Sequence, residues 1–503
     1  MPGDRLLARA HGTVGENTSR SSGAHRTPGA VESPDDPSTS GRPDSPERAA
    51  APAFRTPTLT PNAHWLRCEG CRETYADDGL RLTCEHAHEP ALLTSHYDAP
   101  TFTLDDRAPG LFRYGNWLPC SRPVADESAP ATVTYRSERL NKAVGLPNLW
   151  IAFNGYWPER GALCETATFK DLEASAVLAR LPMETDGPLV VASAGNTAAA
   201  FARACSRTKV ACVIVVPGWG LPALRLARPL DACVKLVALA GGCDYTDAIR
   251  LADHLAESPS FIAEGGTKNV ARRDALGTVL LNAVETIGEM PRYYFQAVGS
   301  GAGGIAAYEA ARRLVGDGRF GARLPRLMLS QNLPFTPIVD SWRLRQRALA
   351  DLPDPKGRLR FIKATALSNR QPAYSPPGGL YDALKETNGG MLGVDNRELG
   401  SAARLFRELE GVDIEPESAV ALASLMKAGA DGSIDGRSSI LLNVTGGGRS
   451  RRLGDGGSPS VRPDLELEEA DLARDGTRQR VVSLFESERW SFRGRDTDAL
   501  STR

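Results

Sequence analysis

Lysine is scarce in this chain. Only nine of its 60 basic residues are lysine, and the rest are arginine. Arginine carries charge and forked hydrogen bonds, but it does not give up its proton to become a nucleophile. Amine chemistry is therefore confined to those nine positions. An excess of charge of one sign is also missing, with 60 basic residues against 61 acidic. That removes the electrostatic ground for a nucleic-acid or anionic-membrane partner. No apolar run approaches a membrane span, and the stretch from Met1 to His11 lacks the apolar core of a signal peptide. Paired cysteines are not a feature either. The nine cysteines are odd in number and scattered, and Cys205, Cys212 and Cys233 sit in apolar segments. Such usage excludes a disulfide framework and leads us to expect buried thiols and a cytoplasmic location.

What is present reads as a large α/β protein. The 503 residues suggest two to four domains, and 41% hydrophobic content with 49 glycines suits a soluble chain with a full-sized core. Residues 1–60 are rich in Ser, Pro, Gly and Arg and read as a disordered arm, since they bury too little apolar surface to offset chain entropy. Residues 61–98 read as a Cys-rich knuckle. Cys68 and Cys71 form a CxxC turn that puts two sulfurs on one tetrahedral face, and Cys84 with His86 or His88 completes four ligands. This is either a structural zinc site, with Cys68, Cys71, Cys84 and His86 as the first candidates, or a metal-free knuckle.

Residues 99–450 read as the core. Short apolar runs at 189–192, 210–216, 234–238, 293–298, 324–329 and 439–444 suit strands buried on both faces of a parallel sheet. Helical patterns at 197–206, 245–257, 273–288, 305–315 and 417–428 alternate with them. That alternation implies a doubly wound architecture, and its length implies two sheets, the smaller over roughly 185–295. Residues 451–503 read as a tail with one amphipathic stretch, 465–485, as a possible docking helix.

Three turns that follow strands carry chemistry. At 193–197, Ser193, Gly195, Asn196 and Thr197 open a helix, where N–H groups and hydroxyls suit a carboxylate. At 299–304, Gly299, Ser300, Gly301, Ala302 and Gly303 form a glycine loop that can cradle a phosphate. The loop also matches the dinucleotide pattern GxGxxG. A nicotinamide cofactor wants an acid at the end of the next strand, and here that strand ends in Ser330, Gln331 and Asn332. The third turn puts the hydroxyl of Thr445 at a strand end, placed to meet a ring nitrogen. Lys170 heads a helix-like run upstream of all three.

Lys170 after Thr168 and Phe169, then Asn196, the glycine loop and Thr445, in that order, resembles the fold-type II pyridoxal-phosphate enzymes, the tryptophan-synthase β and threonine-synthase group. The Glu-Pro-Glu run at 415–417 resembles that group too. Within it the nearest resemblance is to the cysteate synthases, carried by 112–119, 149–159, 168–174 and 301–308 and by the Cys-rich knuckle. The resemblance implies two α/β domains with the cofactor in the cleft. It makes Lys170 the Schiff-base lysine and catalytic base, sets Asn196 against the ring 3-oxygen, and gives Thr445 the ring nitrogen. It implies β-replacement on O-phospho-L-serine with sulfite, giving L-cysteate and phosphate, in a homo-oligomer. Ser193, Gly195 and Thr197 would hold the substrate carboxylate, and Arg113 and Arg160 are candidates for the sulfite or phosphate. Trp150, Tyr156 and Trp157 read as core or interface aromatics. The segment just upstream of Lys170, 164–167, departs from the group's pattern and leaves the nucleophile open. The alternatives are threonine synthesis from O-phosphohomoserine, another nucleophile on the same scaffold, or a catalytically inert binding protein.

Overall fold

Strand Cys212–Pro217 is buried along its whole length, which requires cover on both faces of its sheet. The computed structural model describes residues 63–120, 129–182, 185, 187–193, 195–224, 226, 228–453, 461–472 and 474–486. The expected disordered arm, 1–60, lies outside them, as does the end of the tail.

Two sheets carry the core. The smaller has five parallel strands in the order Ile262–Ala263, Leu189–Ala192, Cys212–Pro217, Val234–Leu239 and Leu465–Leu467. Its side chains alternate between two packing layers. Val190, Val213, Val215 and Val237 pack with Leu251 and Leu255 of helix Tyr245–Ala256. Leu189, Val191, Ile214, Val216 and Leu236 pack with Phe201 and Cys205 of helix Asn196–Thr208. The larger sheet has six strands, Gly390–Val394, Arg326–Asn332, Tyr293–Ala297, Ile440–Val444, Leu149–Phe153 and Val133–Arg136. All run parallel except Val133–Arg136. One face holds Ile151, Phe295 and Leu442 against helix Pro416–Ala430. The other holds Tyr294, Leu327 and Leu441 with helices Val270–Ile287 and Ala302–Asp317. The chain is thus an α/β protein with helices on both faces of its sheets, and ligands in such folds sit at the carboxyl ends of the strands.

The N-terminal knuckle is a three-stranded antiparallel sheet ordered Thr74–Ala76, His64–Cys68, Leu93–Tyr97. Leu66, Cys68 and Leu93 pack on Val270 at the head of helix Val270–Ile287. Asp77 accepts hydrogen bonds from Arg180 Nε at 2.9 Å and Nη2 at 2.7 Å. Arg180 is the last residue of helix Lys170–Arg180, so the knuckle grips that helix at its far end.

The stretch read as a docking helix, 465–485, divides instead into strand Leu465–Leu467 and helix Asp475–Ser483. The strand extends the smaller sheet at its edge, and Leu467 and Val481 are buried against it. Among the described residues no helix is long and apolar enough to cross a membrane.

Candidate active site

Three strand ends and one helix start converge on a cavity of about 780 Å³. Its lining includes Lys170, Ser193, Gly195, Asn196, Thr197, residues 299–303 and Thr445. The smaller sheet supplies the loop after Leu189–Ala192. The larger supplies the turns after Tyr293–Ala297 and Ile440–Val444.

Lys170 is the first residue of helix Lys170–Arg180. The turn before it contains Ala167 at φ +61°, a left-handed conformation that non-glycine residues rarely hold. Backbone bonds to the third turn fix that conformation. Phe169 N–H donates to Thr445 O at 2.9 Å, and Gly447 N–H to Ala167 O at 3.0 Å. The lysine and Thr445 are therefore placed by one another, though 275 positions separate them in the sequence.

Lys170 Nζ donates to Glu173 Oε1 at 2.5 Å. Glu173 is fully buried, and its other oxygen lies 3.1 Å from Arg272 Nη1. Arg272 in turn pairs with Glu264 at 2.6 Å. Burial draws the Lys170 ammonium below its ordinary range, and the Glu173 carboxylate only partly restores it. Sequence reasoning missed this chain of charges. The signal available was spacing alone, since Glu173 stands one helical turn beyond Lys170 on the same face.

At the first turn Ser193 Oγ accepts from Gly195 N–H at 3.1 Å, and Asn196 begins its helix. At the second, Gly301 at φ +91° caps helix Ala302–Asp317, whose first N–H groups have no carbonyl partner within the helix. A Cβ on Gly303 would lie 2.2 Å from Gln296 Nε2. Gln296 is buried, and its Oε1 accepts from Tyr294 OH at 2.7 Å and Asn443 Nδ2 at 2.8 Å. The helix start can therefore approach this polar floor only without a side chain at Gly303. Thr445 is buried, with its Oγ1 3.4 Å from Ser418 Oγ.

The two predicted anion-binding arginines lie elsewhere. Arg113 and Arg160 line a separate cavity of about 560 Å³. Arg113 pairs with Asp106 at 3.0 Å and Glu285 at 2.9 Å, and the Arg160 guanidinium sits 4.6 Å from the Trp157 ring centroid. Their charge is used by nearby acids and aromatic faces. Trp157 is a core residue, edge-on to Phe153. Besides Lys170 and the ion-paired Arg272, the main cavity is lined by Arg449, directly after the Gly446-Gly-Gly448 run. Its Nε meets Glu415 at 2.6 Å and its Nη2 donates to Asn196 Oδ1 at 3.1 Å. Glu417 also lines the cavity, accepting from Ala366 N–H at 2.9 Å. Burial, with the neighbouring Glu415 charge, pushes its carboxyl up to about 7.

In the knuckle, ligand atoms of Cys68, Cys71, Cys84 and His88 all lie within 4.8 Å of one another. His86 stands outside that group, its Nδ1 3.7 Å from Cys71 Sγ.

Comparison with known proteins gives a consistent picture. A family model described as "Pyridoxal-phosphate dependent enzyme" matches residues 130–446. A protein named cysteate synthase from Methanocorpusculum labreanum is 47% identical over 77% of this chain and 93% of its own length. Cysteate synthases from Methanosarcina acetivorans and Methanosphaerula palustris are 44% and 46% identical, over 81% and 78% of this chain and 97% and 91% of their own.

Proposed function

The chain belongs to the cysteate synthase family of pyridoxal-phosphate dependent enzymes, and from that premise we propose that it replaces the phosphate of O-phospho-L-serine with sulfite, giving L-cysteate and inorganic phosphate. The observation that carries this reading is the single cavity shared by Lys170, the 193–197 turn, the glycine loop and Thr445.

The residues around the cavity fit the cofactor. A helix start stripped of side chains at Gly301 and Gly303 is an anion cradle suited to its phosphate. Lys170 supplies an amine of lowered basicity for its carbonyl carbon, Asn196 an amide for the ring oxygen, and Thr445 a hydroxyl for the ring nitrogen. When bound, pyridoxal phosphate supplies an electron sink for the pair of electrons left at the substrate α-carbon.

The protein's own part is binding, orientation and proton handling. Ser193, Gly195 and Thr197 hold the α-carboxylate at a helix N-terminus. Lys170 Nζ takes the α-proton and returns it, and its lowered basicity keeps more of the neutral amine available for that work. Glu173 holds the amine on the cavity side of its helix between proton transfers. Arg449, fixed by Glu415 and Asn196, replaces Arg113 and Arg160 as the residue we assign to the second anion, the leaving phosphate or incoming sulfite. Over the whole reaction the Cα–H bond is broken and remade, the Cβ–O bond breaks with its electrons leaving on phosphate, and a Cβ–S bond forms from the sulfite lone pair. None of the nine cysteines forms a disulfide, which supports a reducing, cytoplasmic setting.

Purified protein is incubated with O-phosphoserine or O-phosphohomoserine, each with and without sulfite, and products are read by mass spectrometry. Cysteate from the phosphoserine and sulfite tube alone is the expected result. Threonine from O-phosphohomoserine would replace this reading with threonine synthesis.

A further inference from the structure

The knuckle holds a second chemical centre, away from the catalytic cavity. We propose that Cys68, Cys71, Cys84 and His88 bind a structural zinc ion, with His88 and not His86 as the fourth ligand.

Three observations carry this. The first is the fit of the ligand atoms. Cys68 Sγ lies 3.4 Å from His88 Nε2, Cys71 Sγ lies 3.5 Å from Cys84 Sγ, and all four atoms fall within 4.8 Å of one another. A tetrahedral zinc with ordinary bond lengths needs ligand atoms roughly 3.5–3.8 Å apart. The second is the orientation of His88. Its Nδ1 lies 2.6 Å from Glu89 O, and a carbonyl can only accept, so Nδ1 carries the proton. Nε2 is then left with its lone pair facing the sulfurs, the arrangement a zinc-bound histidine adopts when a carbonyl fixes its tautomer. The third is the surroundings of the sulfurs. Gly70 N–H donates to Cys68 Sγ at 3.4 Å, and Tyr75 OH lies 3.1 Å from Cys84 Sγ. Donors of this kind stabilise thiolates that bind a metal.

Four protein ligands leave no open position, so the site is structural. Its effect follows from where it sits. The ion closes the loop from Cys71 to Cys84, and that loop presents Asp77 to Arg180 at the end of the Lys170 helix. Cys68 itself packs in the cluster that includes Val270, two residues from Arg272. The ion thus braces the two helices that carry Lys170 and Arg272.

The test uses the full chain from zinc-supplemented growth, with metal content measured by elemental mass spectrometry. A single zinc per chain is expected in wild type and in His86→Ala, with loss of at least half in His88→Ala and nearly all in Cys84→Ser. Equal loss in the two histidine variants would overturn the assignment of His88. Because Cys84→Ser can fail to fold, cobalt(II) is also exchanged into the wild-type chain. Intense visible bands of a tetrahedral thiolate site support the proposal. Wild-type protein that holds neither zinc nor such cobalt bands in excess metal would refute it.

Discussion

Two effects oppose each other at Lys170. Burial disfavours its ammonium form, and the Glu173 carboxylate favours it. If the neutral amine takes the α-proton, kcat rises with pH through the amine's pKa. Replacing Glu173 by Gln removes the opposing charge while keeping a hydrogen-bond acceptor. The rising limb of kcat should then move to lower pH, and kcat on the plateau should fall roughly 10-fold to 100-fold as a neutral acceptor holds the amine less firmly. A limb unmoved by Glu173→Gln would show that this carboxylate does not set the amine's basicity. Glu417 makes a different prediction. Its carboxyl is raised from about 4.5 to about 7, so stability linked to it is complete below about 4.5 and is lost as pH rises through 7. Glu417→Gln should therefore leave thermal stability nearly unchanged at pH 4 and raise it at pH 9 by up to ~3 kcal/mol. Melting curves at the two pH values check the sign.

Individual residues also show where a sequence is silent. Lys170, Asn196 and Thr445 could be singled out because each sits at a local pattern, a strand end or a helix start. Arg449 has the same kind of position, after a strand and three glycines, but in a chain with 51 arginines its identity carried no weight. Arg113 and Arg160 were chosen from segments that resemble a family pattern. Asp106 and Trp157 lie close to them in sequence, but their further partners, Glu285 and Tyr135, lie beyond any local pattern.

At the scale of elements, the glycine loop depends on contact as much as on conformation. Gly303 and Gly316 lie in the same helix, Ala302–Asp317. A Cβ on Gly303 meets the buried Gln296 amide, whereas one on Gly316 meets nothing within 4 Å. Gly303→Ala should cost about 1–3 kcal/mol through overpacking and weaken cofactor binding at least 10-fold. Gly316→Ala should stabilise the protein by about 0.5–1 kcal/mol through helix propensity and leave binding alone. Denaturant midpoints and cofactor titration of the two variants check both signs. Equal effects would mean the loop tolerates a side chain and is not a close cradle. Strands buried on both faces were legible because most positions are apolar, with polar exceptions such as Gln296 and Asn443. The run at 189–192 coincides with its strand, and 293–298 overruns its strand by one residue. Strand Gly390–Val394 escaped notice because its two glycines dilute the apolar signal. Strand Leu465–Leu467 escaped because three residues flanked by acids show too little period to separate strand from helix.

At the scale of the molecule, buried ion pairs link the knuckle, the Lys170 helix and the residue Glu264 that follows an edge strand of the smaller sheet. Burial alone would raise the Asp77 carboxyl, but hydrogen bonds from His64 and Arg180 hold it well below the usual carboxylate range. A depressed carboxyl contributes stability that is present above its unfolded value and lost as pH falls through the folded one. Asp77→Asn should thus destabilise the protein by about 3 kcal/mol at neutral pH, and that difference should shrink under strongly acid conditions. Alternating strands and helices made the α/β class legible from sequence. Which elements meet across hundreds of residues, as Asp77 meets Arg180, was not, because ion pairs leave no periodic trace.

Phosphate for sulfite exchange in this cavity is assigned to Lys170 as its base. The most direct measurement follows phosphate and cysteate together over time, from O-phosphoserine and sulfite, in wild type and Lys170→Ala. Equal amounts of the two products from wild type, with a rate lower by about 10³-fold or more in the variant, are expected. Phosphate release without cysteate, or cysteate formation that survives loss of the lysine, would contradict it.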